Sequence, residues 1–178
     1  MKRREKTMES MTAPDRRTEI ERRFLVPLDV AIGRASDTPS ARIEQCYLQG
    51  TDEWQVRSRR ILENGEESYL LTMKRRIGHG EDHEIELPGT REAHEQMTMS
   101  GAVIVKTRTR HALSCGNVLE LDIYEDPLLL PGYAVAEVEL QSIDAHVELP
   151  GWIGEEITGD AGTSNHALFL SLIERSRH

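Results

Sequence analysis

The chain has 178 residues and a net charge of −9, with 38% hydrophobic and 30% charged residues. This length suits one domain with a buried core, and the acidic balance argues against a general nucleic-acid binder. No apolar run approaches the roughly 18 residues of a membrane span, and the charged N-terminus lacks a secretory signal. The two cysteines form no CxxC pattern, so we expect a cytoplasmic protein without a disulfide framework or a zinc knuckle.

The N-terminal segment differs from the rest of the chain. Residues 1–18 carry a net charge of +3 and almost no large apolar side chains. This composition predicts a disordered basic leader over residues 1–17 and a folded domain over residues 18–178.

Short alternating segments follow the leader, and turn residues typical of hairpins, such as Asn64-Gly65, lie between them. The predicted strands are 18–26, 41–50, 53–61, 67–76, 81–88, 103–110, 117–125 and 133–141. Helical patterns are confined to 90–101, a short piece near 142–146 and the C-terminal 165–176, and residues 27–29 open a possible further helix. Many strands with few helices predict an α+β fold, mainly β, in which helices are appended to a barrel or a sandwich.

Charged residues of one sign recur at alternate positions on seven of the eight predicted strands, so each set shares one strand face. A plain solvated sheet face is the ordinary interpretation, but it would mix signs and uncharged polar residues. Like charges stacked on adjacent strands are destabilising unless a ligand or ions neutralise them. We therefore favour a closed barrel with a charged, water-filled lumen, because a dry core could not hold unpaired ions.

The charged residues define two walls of the predicted lumen, one basic and one acidic. The basic wall suits a polyanion, because arginine makes forked contacts with phosphate oxygens, and it comprises Arg23, Arg57, Arg59, Lys74, Arg76, Lys106 and Arg108. The acidic wall offers hard oxygen ligands for Mg²⁺ or Mn²⁺, and it comprises Glu19, Glu21, Glu120, Asp122, Glu137 and Glu139. Glu84 and Glu86 are possible further tunnel acids. A multi-phosphate chain beside divalent cations is typical of phosphoryl transfer.

Eight sequence blocks in order resemble the CYTH domains, or triphosphate tunnel metalloenzymes, over about residues 18–172. The first block is Glu19-Ile20-Glu21-Arg22-Arg23, and the others are 45–48, 56–59, 71–74, 84–88, 106–108, 120–122 and 136–140, followed by 154–160. The resemblance implies an eight-stranded antiparallel tunnel that binds triphosphates with Mg²⁺ or Mn²⁺.

The resemblance also implies residue roles. The implied metal ligands are Glu19, Glu21, Glu137 and Glu139, with Glu120 and Asp122 near a second metal. The implied phosphate-binding residues are Arg57, Arg59, Lys74, Lys106 and Arg108, and we add Arg23 and Arg76 from the basic wall. We predict that catalysis depends on Glu19, Glu21, Arg23, Glu137 and Glu139.

The sequence departs from the family pattern at three places. Arg23 replaces the lysine of the motif, so a role as proton donor or base at that position is doubtful. Asp82 shares its phase with Glu84 and Glu86, which leaves open which two of the three line the tunnel. Thr163 stands where the family usually has an aromatic residue before Ser-Asn.

Our leading hypothesis is hydrolysis of inorganic triphosphate to pyrophosphate and phosphate, with two metals activating water. One alternative is an adenylyl cyclase, which needs a base-binding subsite for which Trp54 and Tyr47 are the aromatic candidates. The other alternative is a non-catalytic polyphosphate-binding module, although such a module would not need the paired acidic residues of the acidic wall. We expect a small-molecule triphosphate as partner, no specific nucleic acid, no membrane, and a monomer or homodimer.

Overall fold

The computed structural model describes residues 15–48, 53–99, 101–142 and 144–177. Its elements are β1 (Asp15–Pro27), α1 (Leu28–Ala35), β2 (Ser40–Leu48), β3 (Gln55–Glu63), β4 (Glu66–Gly78), β5 (Glu81–Pro88), α2 (Arg91–Thr98), β6 (Ile104–Ala112), β7 (Val118–Tyr124), β8 (Tyr133–Glu139), a 3₁₀ turn (Ala161–Thr163) and α3 (Asn165–Ser176).

The eight strands form one closed barrel in the order β1-β5-β4-β3-β2-β6-β7-β8, and every neighbouring pair is antiparallel. The predicted fold class and the eight-stranded antiparallel closed barrel are confirmed. Closure of the barrel falls on β1, which pairs with β5 up to Ile20 and with β8 from Glu21 onward. Closure therefore places Glu19 and Glu21 of β1 beside β5 and β8, which also carry acidic side chains.

The connection between β3 and β4 is a tight hairpin turn. Glu63 pairs with Glu66, which leaves Asn64 and Gly65 as a two-residue loop with φ angles of 53° and 81°. Positive φ at both central residues is the type I′ pattern that Asn-Gly favours, and its twist matches that of the flanking strands. The Asn64-Gly65 turn predicted from the sequence is therefore confirmed.

Outward-facing side chains of β1, β7 and β8 form the first core cluster. Phe24, Leu121 and Val138 are buried there, together with Ala31 of α1. Trp152, in the irregular segment after β8, packs against the same cluster. Since outward positions are apolar, the alternate positions of these strands are left to face the lumen.

Helix α3 lies at one end of the barrel, which we call the α3 end. Its Phe169 is fully buried and contacts the ring of Tyr47 on β2, with ring centroids 5.3 Å apart. Tyr124 of β7 donates a hydrogen bond of 2.9 Å to Asn165 Oδ1. Residues of the first turn of α3 also face the interior of the barrel.

Three further predictions can be compared with the fold. The leader predicted over 1–17 lies mostly outside the described residues, and β1 begins at Asp15, earlier than the predicted strand. The short helix predicted near 142–146 is wrong for the described residues of that segment, where Ala145 only closes a turn onto the Ser142 carbonyl. None of the described helices combines the length and the apolar character that crossing a bilayer requires.

Candidate active site

A cavity of about 600 Å³ fills the barrel and is lined by most residues of both predicted walls. Its basic lining residues are Arg17, Arg23, Arg57, Arg59, Lys74, Arg76, Arg108 and Arg110. Its acidic lining residues are Glu19, Glu21, Glu84, Glu86, Glu120, Glu137 and Glu139. The alternation on each strand therefore brings residues from distant parts of the sequence to one enclosed surface.

Two predicted site residues do not line this cavity. Lys106 is 2% exposed and Asp122 is fully buried, and the ammonium donates a hydrogen bond to the carboxylate. Both share the phase of cavity residues, Lys106 that of Arg108 and Asp122 that of Glu120, but they lie nearer the α3 end of their strands. Because strand phase specifies a face and not a depth, the sequence could not separate them from the lining residues.

Two charged residues of the cavity were missed by the sequence reasoning. Arg17 donates to Glu84 at 3.1 Å and forms an ion pair with Glu139 at 3.3 Å. Arg110 donates to Glu63 at 2.8 Å and to Glu120 at 3.1 Å. Both continue an alternating series by two positions, so the period that identified their neighbours could have included them. Arg17 was missed because we assigned it to the leader.

Lys74 is the cation that holds the acidic pair of β1. It forms ion pairs with Glu19, with Glu21 at 3.6 Å and with Asp82 at 3.2 Å. Asp82, which is 2% exposed, also accepts a 2.7 Å hydrogen bond from Arg76. The sequence left open which two of Asp82, Glu84 and Glu86 line the tunnel. Glu84 and Glu86 line the cavity, whereas Asp82 pairs with Lys74 and Arg76.

Glu137 of β8 lies between two arginines. Arg23 donates its Nε to Glu137 at 3.1 Å, and Arg108 donates its Nη2 at 2.8 Å. Burial acts to raise the pKa of Glu137, but Lys106, Arg108 and Arg23 outweigh burial and hold it well below its usual range. Glu137 is therefore a carboxylate at neutral pH, available as an oxygen ligand.

Arg23 uses its forked head in two directions. Besides Glu137, it donates Nη2 to the carbonyl oxygen of Thr163 at 3.0 Å, just before α3 begins. One planar guanidinium thus connects the acidic wall to the α3 end. A lysine ammonium is a compact point charge and is less suited to bridging two acceptors in this way. This geometry explains what an arginine contributes at the position where the family motif has a lysine.

Glu21 lies in a part of the cavity where several acidic side chains are close together. Burial raises its pKa to about 7, Lys74 opposes the shift, and Glu137 and Glu19 add to it. Glu139 lies directly opposite Glu21 in the β1–β8 pair. Two acids facing each other are destabilising unless cations balance them, and here Lys74 pairs with Glu21 and Arg17 with Glu139. Cations are therefore favoured at this place.

The basic wall retains hydrogen-bonding capacity for an anion. Among the described side chains, the Nε atoms of Arg57 and Arg59 are buried without a hydrogen-bond partner. Arg59 contacts Glu86, and burial together with the neighbouring Arg57 lowers its pKa to about 10. Unpaired buried donors cost free energy, and phosphate oxygens are the acceptors that would satisfy them.

The acidic residues suit a hard divalent cation in their chemistry, because carboxylate oxygens are the ligands that Mg²⁺ and Mn²⁺ prefer. Within the described ranges, no three Asp, Glu, His or Cys side chains already converge as a metal site. The carboxylates of Glu19, Glu21 and Glu137 instead face Lys74, Arg23 and Arg108. The residues therefore fit the cation, but they must exchange partners to bind it.

Comparison with known proteins supplies further information. No family model matches the chain. An inorganic triphosphatase of Nitrosomonas europaea is 34% identical over 162 residues, which cover 87% of this chain and 99% of the relative. A crystal structure of an inorganic triphosphatase matches at a TM-score of 0.56 and 31% identity, over 85% of this chain and 94% of that chain. A Hippeastrum protein named as an adenylyl cyclase with a dominant triphosphatase activity shares the fold, at a TM-score of 0.53 and 15% identity, over 70% of this chain and 80% of its own.

A closed eight-stranded barrel with opposed basic and acidic residues in its lumen is the architecture of the triphosphate tunnels. Identity above 30% over nearly the whole length of a relative extends this agreement to the sequence. The chain belongs to the triphosphate tunnel metalloenzyme, or CYTH, family.

Proposed function

We propose that the protein is a metal-dependent hydrolase that converts inorganic triphosphate to pyrophosphate and phosphate inside the barrel. The observation that carries the proposal is the lumen itself, in which a basic wall with unpaired arginine Nε donors faces an acidic wall. The basic wall suits the phosphate chain, and the acidic wall suits divalent cations. The similarity to inorganic triphosphatases supports the same substrate.

The charge of the cavity explains why cations would strengthen substrate binding. Among the described residues, eight basic and seven acidic side chains line the cavity, a formal surplus of one positive charge. A triphosphate carries several more negative charges than this surplus can balance. Divalent cations from solution would provide the remaining positive charge, and they would not be needed if the wall were purely basic.

Binding would proceed by an exchange of partners. Lys74, Arg23 and Arg108 hold carboxylates in this structure, and phosphate oxygens compete for the same donors. The carboxylates released in this way are Glu19, Glu21 and Glu137, which with Glu139 would hold Mg²⁺ or Mn²⁺. Glu120 is the further acid of the cavity available to a second cation. Bound divalent cations would neutralise phosphate oxygens and acidify water.

The protein side chains would bind and orient the substrate. In hydrolysis, a water oxygen forms a bond to a terminal phosphorus, the bridging P–O bond breaks, and pyrophosphate leaves. The basic wall, from Arg57 and Arg59 to Arg108, would stabilise the negative charge on the transferred phosphoryl group and on the leaving pyrophosphate. The barrel walls would limit competing water around the reacting atoms.

The test is phosphate release from purified protein with Mg²⁺ or Mn²⁺, comparing inorganic triphosphate, ATP and thiamine triphosphate. We expect a marked preference for inorganic triphosphate, and we expect Glu137→Gln to lose it. The control Glu174→Gln, which changes an exposed acid of α3, should keep this preference. Conversion of ATP to cyclic AMP and pyrophosphate would replace the proposal with a cyclase. Binding of triphosphate without any turnover would instead indicate a polyphosphate-binding module.

A further inference from the structure

The N-cap and the first turn of α3 contribute three residues to the lining of the cavity, namely Ser164, Asn165 and His166. Two of them have structural partners. Ser164 Oγ accepts a hydrogen bond from the Ala167 amide at 3.1 Å and thereby caps α3. Asn165 Oδ1 accepts the hydroxyl hydrogen of Tyr124. The Ser164 contact stabilises the start of the helix, and the Tyr124 contact fastens the helix to the end of the barrel.

His166 is different, because its ring nitrogens have no hydrogen-bond partner within the part of the chain that the structure describes. The imidazole instead packs against Tyr47, with ring centroids 5.2 Å apart and a tilt of 60°. Tyr47 lies directly opposite Arg57 in the β2–β3 pair. The ring is thus held in place by packing beside the basic wall, while its donor and acceptor remain uncommitted.

A second cation reaches this end of the cavity. Arg23 donates to the carbonyl oxygen of Thr163, the residue just before Ser164. His166 thus follows by three residues the carbonyl that Arg23 contacts, and its ring packs on Tyr47, the strand partner of Arg57. An anionic group placed here would meet two guanidinium groups and an imidazole.

We propose that His166 binds a terminal phosphoryl group of the triphosphate at the α3 end, with Arg23 and Arg57 as its charged partners. The inference rests on the proposed function and adds the direction in which the substrate lies. Since α3 packs across this end, the group bound there must be a terminus of the phosphate chain. A neutral imidazole carries one N–H donor, which can satisfy one phosphate oxygen.

The experiment measures steady-state kinetics with Mg²⁺ and, separately, the binding of inorganic triphosphate by calorimetry in EDTA, where no turnover occurs. The variants are His166→Ala and His166→Phe, neither of which has a side-chain donor, and the matched control is His83→Gln on the exposed outer face of β5. We expect His166→Ala to raise KM and the metal-free Kd about tenfold to a hundredfold, the scale of one hydrogen bond to a charged group. The kcat should stay within about twofold, and His83→Gln should match the wild type.

Unchanged KM and Kd in both His166 variants would overturn the inference, as would a loss in kcat without any change in binding. If His166→Ala loses its fold by circular dichroism, His166→Phe decides, because its ring retains the packing against Tyr47 but has no N–H donor. If the wild-type protein releases no phosphate, the proposed function fails, and the EDTA titration still decides whether His166 binds the anion.

Discussion

Arg108 and Asp122 face each other across the β6–β7 pair, where Nε and Nη2 of the guanidinium donate two hydrogen bonds of 2.6 Å to the two carboxylate oxygens. This bidentate contact fixes the plane of the arginine. In the fixed orientation, Nη2 also reaches Glu137 at 2.8 Å and Nη1 contacts Glu120. Asp122 thus orients a cation that contacts two acids of the cavity, although it does not itself line the cavity.

Asp122→Asn should destabilise the fold, because Lys106 and Arg108 would remain buried with one carboxylate fewer. Loss of one partner of a buried ion pair costs about 3 kcal/mol in the free energy of unfolding. Urea denaturation at pH 7 measures this change, with Glu174→Gln as an exposed control on α3. A loss below about 1 kcal/mol would show that Asp122 does not hold Arg108 in solution as it does in this structure.

Arg23→Lys should lower kcat/KM for triphosphate about tenfold or more, although the charge is kept. The ammonium cannot contact Glu137 and the Thr163 carbonyl in the geometry that the guanidinium uses. Steady-state phosphate release measures the effect. The matched control is Arg22→Lys, since Arg22 is the next residue and pairs with Glu156 outside the cavity. Equal losses in the two variants would argue that Arg23 has no special position in the site.

His94 should make the free energy of unfolding depend on pH. Its side chain lies on α2 at 3% exposure, and its Nδ1 is 3.0 Å from Ser58 Oγ. Burial lowers the pKa of His94, so the unfolded chain binds a proton more readily than the folded one. The stability contributed by the neutral ring is therefore present above the ordinary pKa of about 6.5 and is lost as the pH falls below it.

Denaturation of the wild type and of His94→Gln between pH 8 and pH 5 measures this contribution. We expect the wild type to lose more stability than the variant over this range. The control is His83→Gln, on the exposed outer face of β5, which should keep the slope of the wild type. Parallel curves for the wild type and His94→Gln would contradict the prediction.

The periodicity of the sequence was sufficient for the barrel and for the composition of its lumen. Glu19 with Glu21, and Arg57 with Arg59, line the cavity because positions two apart on a strand share one face. The Asn64-Gly65 turn likewise follows from local backbone preference. These features depend on neighbouring residues and can be inferred without knowing what lies across the barrel.

Features that depend on the stagger of the strands could not be inferred in this way. Lys106 and Asp122 have the correct phase, but the register of β6 and β7 places them deeper than Arg108 and Glu120. The position of α3 is also tertiary, because the contact between Tyr47 and His166 joins residues more than a hundred positions apart. Helical periodicity predicted α3 itself but carried no information on where the helix packs.

Divalent cations should stabilise the folded protein through Glu137. A ligand that binds the native state alone raises the free energy of unfolding by about 2.7 kcal/mol at a hundredfold excess over its Kd, which is several degrees in Tm for a protein of this size. Thermal denaturation with and without Mn²⁺ measures the shift, and it needs no turnover. We expect a smaller shift in Glu137→Gln than in the wild type.

The matched control for this comparison is Glu86→Gln, which removes the same charge from the same cavity at an acid outside the proposed ligand set. Its response to Mn²⁺ should remain close to that of the wild type. Equal losses of the shift in Glu137→Gln and Glu86→Gln would mean that the cation responds to the general negative charge of the lumen. An unchanged shift in Glu137→Gln would remove Glu137 from the ligand set, leaving Glu19, Glu21 and Glu139 as the candidate ligands.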